Sequence, residues 1–253
     1  AVIIPALAIL VAAALFSIAL TSFAEVSIPQ LLLIVAVLNA LVAIYIYSLV
    51  PEFLLRFLSW LLINALYRVR PKGLDQIPEE GPVLLVCNHI SYVDALIVGG
   101  CIRRPVRFVM YYKIFQLPVL SFLFRTARAI PIAGYKEDPK LMEEAFEQVS
   151  LELRAGNVVC IFPEGSLTAD GNIAGFRPGV EKILERDPVP VVPLALTGLW
   201  GSLFSRFHRT GGRMWPRKLW SPIGLVAGPS MPPEQANAEV LEAKVRELRG
   251  DLA

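Results

Sequence analysis

The chain has 253 residues, enough for one or two domains, and a formal net charge of +2. Hydrophobic residues make up 55% of it and the mean hydropathy is +0.56, which excludes an ordinary soluble protein. Its three cysteines, Cys87, Cys101 and Cys160, lie in apolar contexts without metal-ligand spacing, so buried thiols in a reducing compartment are expected and no metal site.

The apolar excess lies at the front. From Ala1 to Leu66 the only charged side chains are Glu25, Glu52 and Arg56. Ala1 to Leu20 carries no charge and approaches the ~20 residues that cross a bilayer; Pro29 to Val50 does so again. Residues 1–50 are therefore predicted to form a transmembrane helical hairpin. The chain starts without Met and without a basic leader region, which suggests a piece of a longer or processed protein rather than a signal peptide. Residues 51–67 form a third, shorter apolar stretch. It is expected as an interfacial or re-entrant helix, with packing on the following domain as the alternative. Arg68, Arg70 and Lys72 follow the apolar region, while the loop at 21–28 has no basic residue, so the following domain is expected on the cytoplasmic side.

After Arg68 the charge density becomes that of a globular domain, expected over 68–233. Strands are predicted at 83–87, 106–110, 129–132, 158–162 and 189–195. Between them helices are predicted from Ser91 or Asp94 to a stop at Gly99-Gly100, over 111–128 with an interruption at Pro118, over 136–155 and over 179–185. A final amphipathic helix is placed over 234–253. This alternation implies an α/β domain with a largely parallel central sheet, in which ligands bind beyond the carboxyl ends of the strands.

Two constellations fall at such ends. Asn88-His89-Ile90-Ser91-Tyr92-Val93-Asp94 puts an imidazole and a carboxylate five residues apart, and holds one of two histidines in the chain. If Asp94 fixes the imidazole tautomer, the other ring nitrogen of His89 can deprotonate a substrate hydroxyl; otherwise the pair caps a strand-to-helix turn. Phe162-Pro163-Glu164-Gly165-Ser166 places a carboxylate beside a glycine. Glu164 can bind glycerol hydroxyls, hold the catalytic loop, or stand exposed in a turn. No glycine-rich nucleotide loop, internal repeat or low-complexity tract is present. Between Trp200 and Trp220 the basic residues Arg206, Arg209, Arg213, Arg217 and Lys218 interleave with aromatics and no acid. That run reads as a face for anionic lipid, a dock for an acidic carrier protein, or a solvated loop over core aromatics. Nucleic acid is not expected beside membrane spans.

Taken together these residues resemble the glycerolipid acyltransferase family that includes bacterial 1-acylglycerol-3-phosphate acyltransferase. Asn88, His89 and Asp94 match its first block and Phe162 to Gly165 its third. Phe176, Arg177 and Gly179 match the element that follows, and Val189 to Pro193 the fourth. The resemblance implies His89 and Asp94 as catalytic residues. It implies Asn88, Ser91, Glu164, Gly165, Ser166, Arg177 and Arg128 as the substrate-binding set, and backbone amides near the Asn88-His89 turn or Gly165 as the oxyanion site. It implies no cofactor beyond an acyl thioester co-substrate, acyl-acyl carrier protein or acyl-CoA, and a lysophospholipid acceptor at the membrane.

The chain departs from the family where arginines are expected to face a terminal phosphate. Ala133-Gly134 follows the strand of the second block, and Ser166-Leu167 follows Glu164-Gly165. A phosphomonoester carries nearly two charges and favours forked arginine contacts, so their loss points to a phosphodiester headgroup such as phosphoethanolamine. Arg125, Arg128, Lys136 and Arg177 remain as partners for it. The segments around 124–132 and 136–139 are similar to the acyltransferase portion of bacterial fusions. In these a lysophospholipid transporter precedes the acyltransferase and an acyl-acyl carrier protein synthetase follows it. That similarity implies acylation of 2-acyl-glycerophosphoethanolamine at the bacterial inner membrane, with the first 50 residues as a transporter tail. Lysophosphatidic acid is the alternative acceptor, and a non-catalytic lipid-binding or transporter-derived module the alternative of another class.

Overall fold

The computed structural model describes residues 27–49, 51–202, 204–206, 220 and 222–251. The first predicted span and most of the basic–aromatic run lie outside the described residues. Two compact units are present, divided after Pro51.

The first unit contributes one described helix, α1 (Ile28–Leu49). Its start is capped by the Gln30 side chain: the Ser27 amide and hydroxyl both donate to Gln30 Oε1 at 2.9 Å. At ~1.5 Å per residue its 22 residues reach about 33 Å, enough for the hydrocarbon core of a bilayer.

The second unit begins within α2 (Pro51–Leu66), which runs into a seven-stranded sheet flanked by helices. In chain order its elements are β1 (Arg68–Lys72), β2 (Val83–Cys87), α3 (Asp94–Cys101), β3 (Val106–Tyr111), α4 (Pro118–Thr126), β4 (Ile130–Ile132) and α5 (Pro139–Arg154). These are followed by β5 (Val158–Ile161), α6 (Gly179–Arg186), β6 (Val191–Thr197), β7 (Pro222–Ala227) and α7 (Ala238–Arg249). The spatial order is β1-β7-β6-β2-β5-β3-β4, and every pair is parallel except β6 with β7. Because a strand alternates its faces, Val83, Leu85 and Cys87 enter one core layer and Leu84 and Val86 the other. The first layer holds Ile63 of α2 with Ile97 and Val98 of α3. The second holds Phe146, Val149 and Leu153 of α5, Val180 and Ile183 of α6, and Leu241 of α7.

Several expectations are corrected. The sheet gains β1 and β7, which were not anticipated. β1 reads Arg-Val-Arg-Pro-Lys and lies on the edge of the sheet, where charged outward side chains cost little, so its sequence carries no strand period. Gly99-Gly100 does not end α3. A Cβ on Gly100 would stand 3.0 Å from Ile63 Cδ1 and 3.4 Å from the Trp60 amide, so glycine there lets α3 and α2 approach closely. Pro118 begins α4 instead of interrupting a helix, because its missing N–H is unused at a first turn. The last helix starts at Ala238, where Asn237 Oδ1 accepts from the Val240 amide at 2.8 Å.

α2 and α7, set apart from the domain by sequence, both fold into this unit. Buried Ile63 and an Arg56 bond to the Ile102 carbonyl at 2.6 Å join α2 to the domain. Arg107 of β3, itself buried, reaches Glu52 at 2.9 Å and Glu152 at 3.2 Å. The opposite side of α2 leaves Phe57, Leu58, Trp60, Leu61 and Leu62 exposed. The helix is thus packed on the domain and still presents an apolar outer face.

Candidate active site

β2 ends in the middle of the sheet, and the residue after it decides where the chain goes. Asn88 is fully buried; its Nδ2 donates to the Leu196 carbonyl at 3.1 Å and its Oδ1 accepts from the Leu196 amide at 2.7 Å. The side chain stands in for one more ladder residue against β6, while the backbone turns out of the sheet. Its role is to pin the turn. The expectation of a substrate contact from Asn88 is corrected, since both polar ends of its amide are committed inside the protein.

The turn carries His89, whose side chain is 24% exposed, and closes on Asp94, which is not exposed at all. Asp94 Oδ2 lies 2.8 Å from His89 Nδ1 and accepts from the Ile90 amide at 2.6 Å and the Ser91 amide at 2.9 Å. An oxygen that already accepts two amides requires the proton on His89 Nδ1, which leaves Nε2 as the basic nitrogen. Burial pushes the Asp94 carboxyl above its ordinary range, against the lowering effect of its bonds to His89 and the turn amides. The geometry that each reading of this heptapeptide requires is present: the same carboxylate oxygen contacts His89 Nδ1 and ties the turn.

Phe162, at the end of β5, stacks on the imidazole with ring centroids 4.4 Å apart and planes 21° apart. Glu164 follows it and is buried. Its Oε1 accepts from the His89 amide at 2.6 Å and its Oε2 from the Ala174 amide at 2.8 Å. Burial raises its pKa, opposed by those two amides. Glu164 therefore clamps the turn of His89 to the loop at 174, which is the loop-holding role among those expected of it. The Thr168 amide completes the clamp by donating to the His89 carbonyl at 2.9 Å.

Ser91 is buried, with its hydroxyl accepting from the Val93 amide at 3.4 Å, so it too shapes the turn instead of meeting substrate. The amides suggested for an oxyanion site are likewise engaged: those of His89, Ile90 and Ser91 on the two carboxylates, and that of Gly165 on the Phe162 carbonyl at 3.0 Å.

Gly165 and Ser166 are exposed beside this cluster. Gly165 has φ +70, and a Cβ there would lie 2.7 Å from Arg177 Cζ, so the Arg177 guanidinium lies directly over the glycine. The Arg177 amide donates to the Pro163 carbonyl at 3.0 Å. Sequence reasoning named these two residues separately; the fold brings them together. Arg128 is placed elsewhere, 3.0 Å from Glu52, with φ 51. Arg125 donates to Ser121 Oγ at 3.2 Å. Where the family pattern has its second arginine, the chain has buried Ala133.

The end of β3 carries no recognisable motif in the sequence. Tyr111, Tyr112 and Lys113 gather there around Glu137, which follows β4. The available signal was their place at a strand end, the same cue that singled out His89.

The sequence pattern of the Acyltransferase family matches residues 68–197. The 1-acyl-sn-glycerol-3-phosphate acyltransferase of Arabidopsis thaliana chloroplasts is 24% identical over 148 residues, which are 58% of this chain and 41% of that protein. The chain thus spans about two fifths of such plastid relatives. The 1-acyl-sn-glycerol-3-phosphate acyltransferase of Pseudomonas aeruginosa is 27% identical over 191 residues, 73% of this chain and 68% of that one. Among solved structures, the 1-acyl-sn-glycerophosphate acyltransferase of Thermotoga maritima superposes with a TM-score of 0.63 at 19% identity. It covers 79% of this chain and 77% of that one, and so shares the fold.

Proposed function

Because the chain belongs to the glycerolipid acyltransferase family, we propose that it acylates the free glycerol hydroxyl of a lysophospholipid at a membrane, with 2-acyl-glycerophosphoethanolamine as acceptor and an acyl thioester as donor. The observation that carries the chemistry is the 2.8 Å contact of His89 Nδ1 with a fully buried Asp94. Nε2 takes the proton of the acceptor hydroxyl as its oxygen attacks the thioester carbonyl. The tetrahedral adduct collapses with cleavage of the C–S bond, and His89 returns the proton to the leaving thiolate. Asp94 stabilises the imidazolium between those steps. No protein nucleophile is needed, since the substrate supplies the oxygen.

Support for the acceptor comes from what surrounds His89. Arg177 over Gly165 supplies one cation, while Ala133 and Leu167 stand where further arginines would grip a phosphomonoester. One guanidinium suits a singly charged phosphodiester. The apolar α1 and the outer face of α2 favour attachment to a bilayer, and Arg68, Arg70 and Lys72 favour the cytoplasmic leaflet of a bacterial inner membrane. Acyl carrier protein is the donor partner that the basic residues from Arg206 onward suit by charge. Transporter and synthetase domains would share the full-length chain. A second reading, lysophosphatidic acid as acceptor, draws on the names borne by the relatives above.

A donor-by-acceptor matrix on the full chain tests both. We expect transfer from acyl-acyl carrier protein, with 2-acyl-glycerophosphoethanolamine preferred in direct competition, and a loss of at least a thousandfold in His89→Ala. Preference for lysophosphatidic acid would overturn the acceptor assignment, and near-normal transfer by His89→Ala would overturn the mechanism.

A further inference from the structure

The cluster at the end of β3 is built around an ammonium group. Lys113 Nζ lies 2.7 Å from Glu137 Oε1, and 5.5 Å and 5.6 Å from the ring centroids of Tyr111 and Tyr112. Both phenols donate to that same carboxylate oxygen, at 2.8 Å and 3.1 Å, and the rings meet edge to face at 5.1 Å. A carboxylate within hydrogen-bond reach and two aromatic rings within cation–π range form a cage that a primary ammonium already fills. Its current occupant is the protein's own, on a flexible stem whose side chain is 53% exposed.

Position connects the cage with His89. Tyr111 ends β3 and Glu137 follows β4, at the same carboxyl edge of the sheet from which His89 leaves β2 and Glu164 leaves β5. β2 and β3 flank β5, so Tyr111 stands two strand spacings, on the order of 10 Å, from the strand that delivers His89, with Glu137 beyond it after β4. Stacked rings run from His89 over Phe162 to Phe108 of β3, with centroid separations of 4.4 Å and 6.4 Å, three residues before Tyr111 on the alternate face of that strand. In 2-acyl-glycerophosphoethanolamine nine bonds separate the ammonium from the free hydroxyl oxygen, a contour of roughly 13 Å at ~1.5 Å per bond, long enough to span that interval.

Building on the proposed acyltransferase function, we propose that Tyr111, Tyr112 and Glu137 select the acceptor by its headgroup, binding a primary ammonium that displaces Lys113. The cage requires N–H donors, because the 2.7 Å contact with Glu137 is a hydrogen bond that a quaternary ammonium cannot make. A phosphomonoester headgroup has nothing to place there, and meets the negative charge of Glu137 once Lys113 moves.

The test compares kcat/KM of the full chain and its variants on lysophosphatidylethanolamine, lysophosphatidylglycerol and lysophosphatidylcholine, with one acyl donor. In Glu137→Gln the ethanolamine-to-glycerol ratio should fall at least tenfold, mainly through KM. In Tyr111→Leu it should fall several-fold. The unsubstituted chain should use ethanolamine over choline. An active Glu137→Gln with an unchanged ratio, or equal use of choline and ethanolamine by the unsubstituted chain, would overturn the cage and leave the acyltransferase intact. Absence of transfer to every lysolipid by the unsubstituted chain would overturn the function and the cage together.

Discussion

Replacing Asp94 by Asn should separate catalysis from stability. The Ile90 and Ser91 amides both point at Oδ2, so they hold the carbonyl oxygen of the new side chain there, still facing His89 Nδ1–H. The amide nitrogen falls where Oδ1 has no hydrogen-bond partner among the described residues. Tautomer and turn survive, and what is lost is the charge beside the imidazolium. At about 4 Å between charge centres and an effective dielectric near 20, that charge is worth about 4 kcal/mol, or roughly a thousandfold in kcat/KM. Stability should move the other way. Burial raises the Asp94 pKa, so between the ordinary aspartate range and that raised value the native protein holds a proton that the unfolded chain has released. Folding stability therefore declines as pH rises through that window, and Asp94→Asn removes the decline. Melting temperatures from pH 4 to pH 7 should show Asp94→Asn gaining on the unsubstituted protein as pH rises. Glu164 contributes a decline of the same sign to both proteins, smaller in Asp94→Asn because the Asp94 charge is one cause that raises the Glu164 pKa, so it shifts the difference in the same direction. Asp94→Ala strips the acceptor from two turn amides and should cost about 1–3 kcal/mol for each. More than a tenth of normal activity in Asp94→Asn, or a melting point as low as that of Asp94→Ala, would refute this account.

Glu164→Ala leaves the His89 and Ala174 amides without their carboxylate; we expect a loss of about 2–5 kcal/mol in urea denaturation together with most of the activity, and an unchanged midpoint would show that the clamp is dispensable. Arg107→Met removes the buried cation between Glu52 and Glu152 and should cost about 3 kcal/mol, with faster hydrogen exchange over residues 51–66 because that pair anchors the start of α2. Exchange in α2 matching the unsubstituted protein would place the anchor at Ile63 and Arg56 alone.

Much of the site could be read without coordinates, because its chemistry is local in sequence. His89 and Asp94 are separated by a single turn, and a carboxylate that reaches back five residues can orient an imidazole whatever surrounds it. The β2, β5 and β6 strands were also legible, since strands buried on both faces must be continuously apolar. What sequence could not supply depends on long-range pairing. Glu164 reads equally as a substrate ligand or a loop clamp until the fold shows its oxygens accepting from amides 75 and 10 residues away. Asn88 reads as part of a catalytic motif until Leu196, 108 residues on, claims its amide. Gly99-Gly100 has the composition of a helix stop, and only the approach of α2 turns it into a packing face. β1 was hidden because an edge strand beside one neighbour needs no apolar period. The sequence by itself determined that His89 and Asp94 could meet, since that contact is a property of one short loop. Only the tertiary structure decided which polar residues stay free for a substrate, because desolvation and backbone partners are settled by segments far apart in the chain.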